Sequence, residues 1–163
     1  MIVLVGFMGA GKTTVGSLLA KQLGVPFDDV DLVISRRAGR SIREIFAADG
    51  EPAFRDLEHR VTAELLAGRS AVLALGGGAA EHPGTRACLR GSRVVYLEVG
   101  YDEAMLRVAH DPGRPMLRAP GLRDIFERRR SGYESVATDV IRTDGRGPEA
   151  ICEDIIEKLG RRP

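Results

Sequence analysis

An α/β fold built on a five-stranded parallel sheet flanked by helices is what the sequence predicts, and three observations carry that reading. Short apolar runs recur along the chain, segments of helical period separate them, and the first run ends in a glycine-rich turn that opens a helix. With 163 residues the chain is long enough to bury a real core and short enough for one domain, so residues 1–163 are expected to fold as a single unit.

The elements follow in order. Residues 2–5, wholly apolar, suit a strand buried on both faces, and residues 13–23 suit a helix with Val15, Leu18, Leu19 and Leu23 on one side. Further strands are expected at 25–27, 71–75, 93–97 and 140–142. Between the second and third of the five the chain is longer than one crossover needs. RSIREIF supplies a capping box from Ser41 to Glu44, and EPAFRDLEHRVTAELL a longer helix with Phe54, Leu57, Val61 and Leu65 inward, which together read as an inserted two-helix lobe. HDPGRPMLRAPG, residues 110–121, reads as either a surface loop or a mobile lid.

Composition removes several classes of function. The formal charge is +1, from 24 basic and 23 acidic residues, so no global field argues for nucleic acid or an anionic membrane as partner. Cys88 and Cys152 are far apart and belong to no CxxC or Cys/His spacing, which speaks against a disulfide framework or zinc site and for reduced thiols in a cytoplasmic protein. The apolar start, residues 1–5, has neither the charged region of a signal peptide nor the length of a membrane span.

GFMGAGKTTVG, from Gly6 to Gly16, fits G-x-x-x-x-G-K-[ST] in the strand–loop–helix setting that a phosphate loop requires. Backbone N–H groups around Gly9, Ala10 and Gly11 can turn toward phosphates, Lys12 can bridge their oxygens, Thr13 can offer a hydroxyl to Mg²⁺, and Thr14 completes the first turn. None of the three lysines, Lys12, Lys21 and Lys158, stands in the Asn/Thr-Lys-x-Asp setting of a guanine-reading switch protein. In VPFDDVDLVI, Asp29 and Asp31 fall near the carboxyl edge of the sheet, where one carboxylate can hold Mg²⁺ through water and another can meet a hydroxyl that attacks the γ-phosphate. Asp31 also reads as the N-cap of the helix that Leu32, Val33 and Ile34 begin.

Arg55 and Glu58 lie three apart on one helix face. They are either a surface pair or a guanidinium fixed to take a substrate carboxylate in two parallel bonds. Gly76, Gly77 and Gly78 close the third strand, as a tight turn or as a place where backbone meets ligand. Arg114 in the 110–121 segment can close over the transferring phosphoryl group, and Arg129 can reach the acceptor, although Arg128 to Arg130 also read as a solvated face.

These residues together resemble the shikimate kinases over nearly the whole chain, from GFMGAGKTTVG through FDDVD, GRSIREIFAADGEPAFRDLE and LALGGGA to GRPML and RRRSGYESVA. The resemblance implies a monomeric P-loop NTPase-type kinase of the nucleoside-monophosphate-kinase kind, with a substrate-binding lobe at about residues 31–60 and a lid at about 110–121. It implies phosphate transfer from MgATP to the 3-hydroxyl of shikimate, a step towards chorismate and the aromatic amino acids. Carried over by position, Lys12, Asp31 and Arg114 look like the catalytic residues, and Thr13 and Asp29 like those on the metal side. ATP is expected at Gly9 to Thr14, Arg114, Arg107 and Pro148, and shikimate at Asp31, Arg55, Gly76, Gly77, Gly78 and Arg129, with Arg129 preferred over Arg130. Departures lie beside the site: Val30 between the two aspartates, Ser35 where glutamate is common, and Gly132 before Tyr133. The rivals are a related kinase acting on a cyclitol or on gluconate, and a nucleotide-binding regulatory module with little turnover.

Overall fold

The computed structural model describes residues 1–68, 71–109 and 121–160. Five parallel strands form one sheet in the order β2-β3-β1-β4-β5: β1 (Ile2–Val5), β2 (Phe27–Asp29), β3 (Val72–Ala74), β4 (Arg93–Glu98) and β5 (Asp139–Arg142). Leu4 of β1 lies opposite Ala74 on one side and Val95 on the other. The apolar runs of β1, β3 and β4 are buried throughout their centres because helices cover both sheet faces. Those helices are α1 (Lys12–Leu23), α2 (Val30–Ala38), α3 (Ile42–Ala67), α4 (Pro83–Cys88), α5 (Tyr101–Val108), α6 (Leu122–Val136) and α7 (Pro148–Gly160).

One strand differs from expectation by two residues. The second apolar run, 25–27, leads to β2 rather than forming it. Gly24 ends α1 in the left-handed conformation, the Val25 N–H returns to Ala20 O at 3.0 Å, and Pro26 has no N–H to give, so pairing with β3 starts at Phe27. The shift puts Asp29 at the end of β2 itself, beside Ala74.

The two-helix insertion follows the sequence closely. Ser41 Oγ accepts from Glu44 N at 3.2 Å and Glu44 Oε2 accepts from Ser41 N at 2.7 Å, a complete capping box at the start of α3. Gly50, at φ 79° and ψ 166°, then breaks α3 into two helical halves, with Pro52 opening the second. Phe46 and Phe54 meet across the break with ring centroids 4.5 Å apart. Of the four residues expected inward on the second half, Phe54 and Val61 are buried, and Leu57 and Leu65 are half-buried against the core. Arg37 on α2 holds Glu64 through two 2.7 Å bonds, fastening the lobe to its neighbour.

Residues 110–120, including Arg114 and nearly all of the expected lid, lie outside the described residues. After them, α6 turns Leu122, Phe126, Arg129 and Tyr133 inward at helical spacing. Phe126 packs edge-on to Phe7 of the first loop at 5.0 Å, which brings Arg129 to the carboxyl edge of the sheet.

Close packing of α1 on the sheet depends on Gly16. A Cβ there would lie 2.4 Å from the Phe27 ring and 3.1 Å from Leu4 Cδ1. Gly16→Ala should therefore lower stability by about 1–2 kcal/mol, overpacking outweighing the helix propensity gained. A thermal melt checks this, and a Tm at or above that of the parent would show that Phe27 swings aside at little cost.

Candidate active site

The loop between β1 and α1 wraps inward, with Gly9 and Gly11 at φ 79° and 92°. Lys12 Nζ donates to Gly6 O at 2.8 Å and Phe7 O at 3.2 Å, so its ammonium arches over the loop it would serve. Thr13 and Thr14 are exposed on the first turn. Ala10 is fully buried and its N–H bonds to Phe7 O at 3.1 Å, so its contribution is to loop shape rather than as a donor facing outward. Arg107 ties this loop to the far strand: one terminal nitrogen reaches Gly9 O at 3.2 Å, and the other reaches Thr143 O at 2.6 Å. Pro148 opens α7 five residues beyond Thr143.

Asp29 joins two elements. Its Oδ2 accepts from Thr13 Oγ1 at 2.6 Å, and its Oδ1 accepts from the N–H groups of Asp31 at 3.0 Å and Leu32 at 3.3 Å. Asp29 is thus the N-cap of α2, and the capping reading of Asp31 is corrected: with β2 ending two residues later than expected, the cap falls on its last residue. Asp31 instead lies in the first turn and aims Oδ1 at Gly76, 2.9 Å from where a Cβ would stand.

The triple glycine is more than a turn. A Cβ on Gly76 would lie 2.1 Å from Glu58 Oε1, and one on Gly78 would lie 2.2–2.6 Å from three guanidinium atoms of Arg55. Side chains from α3 occupy the space that side chains here would fill. Arg55 NH1 donates to Glu58 Oε2 at 2.7 Å and NH2 to Glu51 Oε1 at 3.2 Å, while Phe46 and Phe54 present ring faces at 5.7 and 5.3 Å. The pair is no surface decoration, since Glu58 is 1 % exposed and Arg55 16 %. Glu58 Oε1 is buried without a hydrogen-bond partner among the described residues. Burial pushes the Glu58 carboxyl up to about 7, against the pull of Arg55 and with a further push from Asp31.

Gly77 differs from its neighbours. The nearest atoms to a Cβ there are Arg129 NH1 at 3.8 Å, Met8 N at 3.8 Å and Gly6 O at 3.9 Å. Tyr133, buried on α6, donates its hydroxyl to Gly77 O, and burial pushes that phenol well above its ordinary range. Arg129 is 5 % exposed and faces this ground, whereas Arg130 is half exposed and pairs with Glu134 and Glu98. The spacing of Phe126, Arg129 and Tyr133 on one face of α6 is the sequence signal that separates the two arginines.

Two groups here have no role that the sequence assigns. Tyr133 stands in the sequence only as the tyrosine of RRRSGYESVA, and Glu81, which holds Arg129 Nε at 2.8 Å, follows the glycines in a three-residue 3₁₀ turn, Ala79–Glu81, that has no periodicity to read.

Comparison with known proteins gives the family. The family model for shikimate kinase matches residues 8–160. A curated shikimate kinase of Streptomyces coelicolor is 47% identical over 162 residues, covering 98% of this chain and 95% of its own. Among solved structures, a shikimate kinase from Acinetobacter baumannii in complex with shikimate superposes with a TM-score of 0.92 at 38% identity, over 97% of this chain and 91% of that one. A gluconokinase from Sinorhizobium meliloti, at 19% identity and a TM-score of 0.60 over 98% of this chain and 91% of that one, shares the fold alone. The family match runs from inside the phosphate loop to the last turn of α7, and the chain therefore belongs to the shikimate kinase family.

Proposed function

We propose that this chain transfers the γ-phosphoryl group of ATP to the 3-hydroxyl of shikimate, giving shikimate 3-phosphate and ADP on the route to chorismate. The observation that carries this is Gly77: a molecule standing on it is within reach of the buried Arg129 on one side and the phosphate loop on the other. An acid that offers a carboxylate to arginine and a hydroxyl to ATP fits that span.

The residues divide the work. Arg55 and Arg129 take the carboxylate, with Gly76 to Gly78 as the floor beneath the ring. Asp31 meets the hydroxyl, accepting its proton or orienting it for attack. Lys12 and the loop N–H groups hold phosphate oxygens, and Arg107 and Pro148 flank the base. Thr13 and Asp29 offer hard oxygens 2.6 Å apart, a donor set suited to magnesium. Magnesium bound there offsets charge on the phosphate oxygens. Arg114, which lies outside the described residues, is assigned to the transferring phosphoryl group on the family resemblance. This reading places the enzyme in the cytoplasm, where thiols such as Cys88 and Cys152 stay reduced. No helix among the described residues is long and apolar enough to cross a membrane.

The direct test measures ADP release with shikimate, quinate, gluconate and inositol offered in turn. Shikimate alone should drive turnover, and release dependent on gluconate or inositol but not shikimate would overturn the acceptor.

Asp31 separates chemistry from structure. Because Asp29 holds the cap, Asp31→Asn should change stability by less than about 1 kcal/mol, the scale of a charge in a first helical turn. It should lower kcat by about 10²- to 10⁴-fold. Kinetics and a melt on one preparation check both, and a kcat near that of the parent would remove Asp31 from the reaction.

Glu58 gives a pH signature. Its folded carboxyl titrates near 7, above the ordinary value of 4.5, so between these values the folded state keeps a proton that the unfolded chain has lost. Unfolding free energy should accordingly fall as pH rises from about 4.5 to 7 and level off above that. Between pH 5 and 8 the parent should lose about 2–3 kcal/mol relative to Glu58→Gln in denaturant titrations. Parallel curves would mean that Glu58 is ionised across the range.

A further inference from the structure

The guanidinium of Arg129 is held from behind. Its Nε donates to Glu81 Oε2 at 2.8 Å, and the other carboxylate oxygen, Oε1, accepts from Arg128 Nε at 3.1 Å. Each oxygen of Glu81 therefore takes one Nε donor. The two terminal nitrogens of Arg129 make no hydrogen bond among the described residues, and one of them, NH1, is among the nearest atoms to a Cβ placed on Gly77, at 3.8 Å. That end of the fork is the one that takes a carboxylate in two parallel bonds.

Glu81 is itself fixed. Its N–H donates to Gly78 O at 2.9 Å, and its carbonyl accepts from Arg86 NH1 at 3.0 Å, the same nitrogen that reaches Ala80 O at 2.8 Å. The side chain thus springs from backbone pinned between the glycine floor and α4. Arg128 is 64 % exposed and Arg129 only 5 %, so Glu81, at 29 %, bridges an outer arginine and an inner one. A surface ion pair has little worth alone. Here its consequence is directional, because an arginine has many rotamers and binding an acid requires one.

We propose that Glu81 is a positioning residue for acceptor binding: by holding Arg129 through Nε it aims the terminal nitrogens at the acceptor carboxylate above Gly77. This parallels Glu58, which holds Arg55 on the opposite side, and it rests on the reading of Arg129 as a carboxylate ligand.

Steady-state kinetics on the full chain, with MgATP and shikimate each varied, test it in Glu81→Ala, Glu81→Gln, Arg129→Ala and the Glu81→Ala/Arg129→Ala double variant. Glu81→Ala should raise KM for shikimate about five- to tenfold, the cost of ordering one rotamer-rich side chain on binding, and leave KM for ATP within about twofold. Glu81→Gln keeps an oxygen that can accept from Nε and should recover most of the loss. In the Arg129→Ala background, removing Glu81 should add less than about twofold, since the group it positions is gone. Should Glu81→Ala not fold, Glu81→Ser, too short to reach Nε, takes its place. A raised KM in Arg129→Ala with an unchanged KM in Glu81→Ala would overturn the role of Glu81 and leave that of Arg129 standing. An unchanged KM in Arg129→Ala would overturn both. Equal rises in the two KM values, or no recovery with Gln, would make Glu81 structural.

Discussion

The buried pair of Arg55 and Glu58, pressed against bare backbone at Gly76 and Gly78, is the contact on which the proposed acceptor side of this molecule depends. A charge so deeply placed is costly unless it is paired, and here the pairing also fixes direction. Glu58 takes one nitrogen of the fork, Glu51 another, and two phenylalanines set the plane. The break at Gly50 brings Phe46 back to Phe54 and so supplies one wall of that setting. The lobe, the glycine floor and the pair consequently form a single construction in which each part needs the others.

On the phosphate side the corresponding joint is Asp29. One carboxylate links the first turn of α1 to the end of β2 and caps α2, so the groups expected around magnesium and the attacking hydroxyl are held in one frame. Arg107 extends that frame to β5 by clasping Gly9 and Thr143. Preorganisation of this kind is what phosphoryl transfer asks of a protein, because positioning and charge account for most of the rate.

Much of this was legible in the sequence, for identifiable reasons. Strands buried on both faces leave continuous apolar runs, and β1, β3 and β4 were visible for that reason. The capping box marked the start of α3 because Ser41 and Glu44 satisfy local donors that any helix start must satisfy. The apolar run points past β2 because β2 is an edge strand, half-buried and partly acidic, and the backbone of the apolar Val25 before it bonds back to the end of α1 instead. The misplaced strand in turn moved the cap from Asp29 to Asp31. Three glycines showed that something approaches closely, but not what, since Glu58 and Arg55 arrive from a helix eighteen or more residues earlier. Glu81 was illegible because its significance lies in two arginines from α6, some forty-seven residues away.

Of the three consecutive glycines, the outer two are locked by side chains from α3, while the middle one alone has ordinary van der Waals distance on every side. A methyl group added at Gly77 would disturb no atom of the described residues and would rise into the ground proposed for the acceptor. That makes this position a natural place for a bump paired with a trimmed ligand: an enzyme that refuses its own acid yet accepts a smaller analogue, with the arginines, the aspartate and the phosphate loop left as they are. The floor of the site, which has no side chain and therefore no chemistry of its own, is the part of this enzyme most open to being re-addressed.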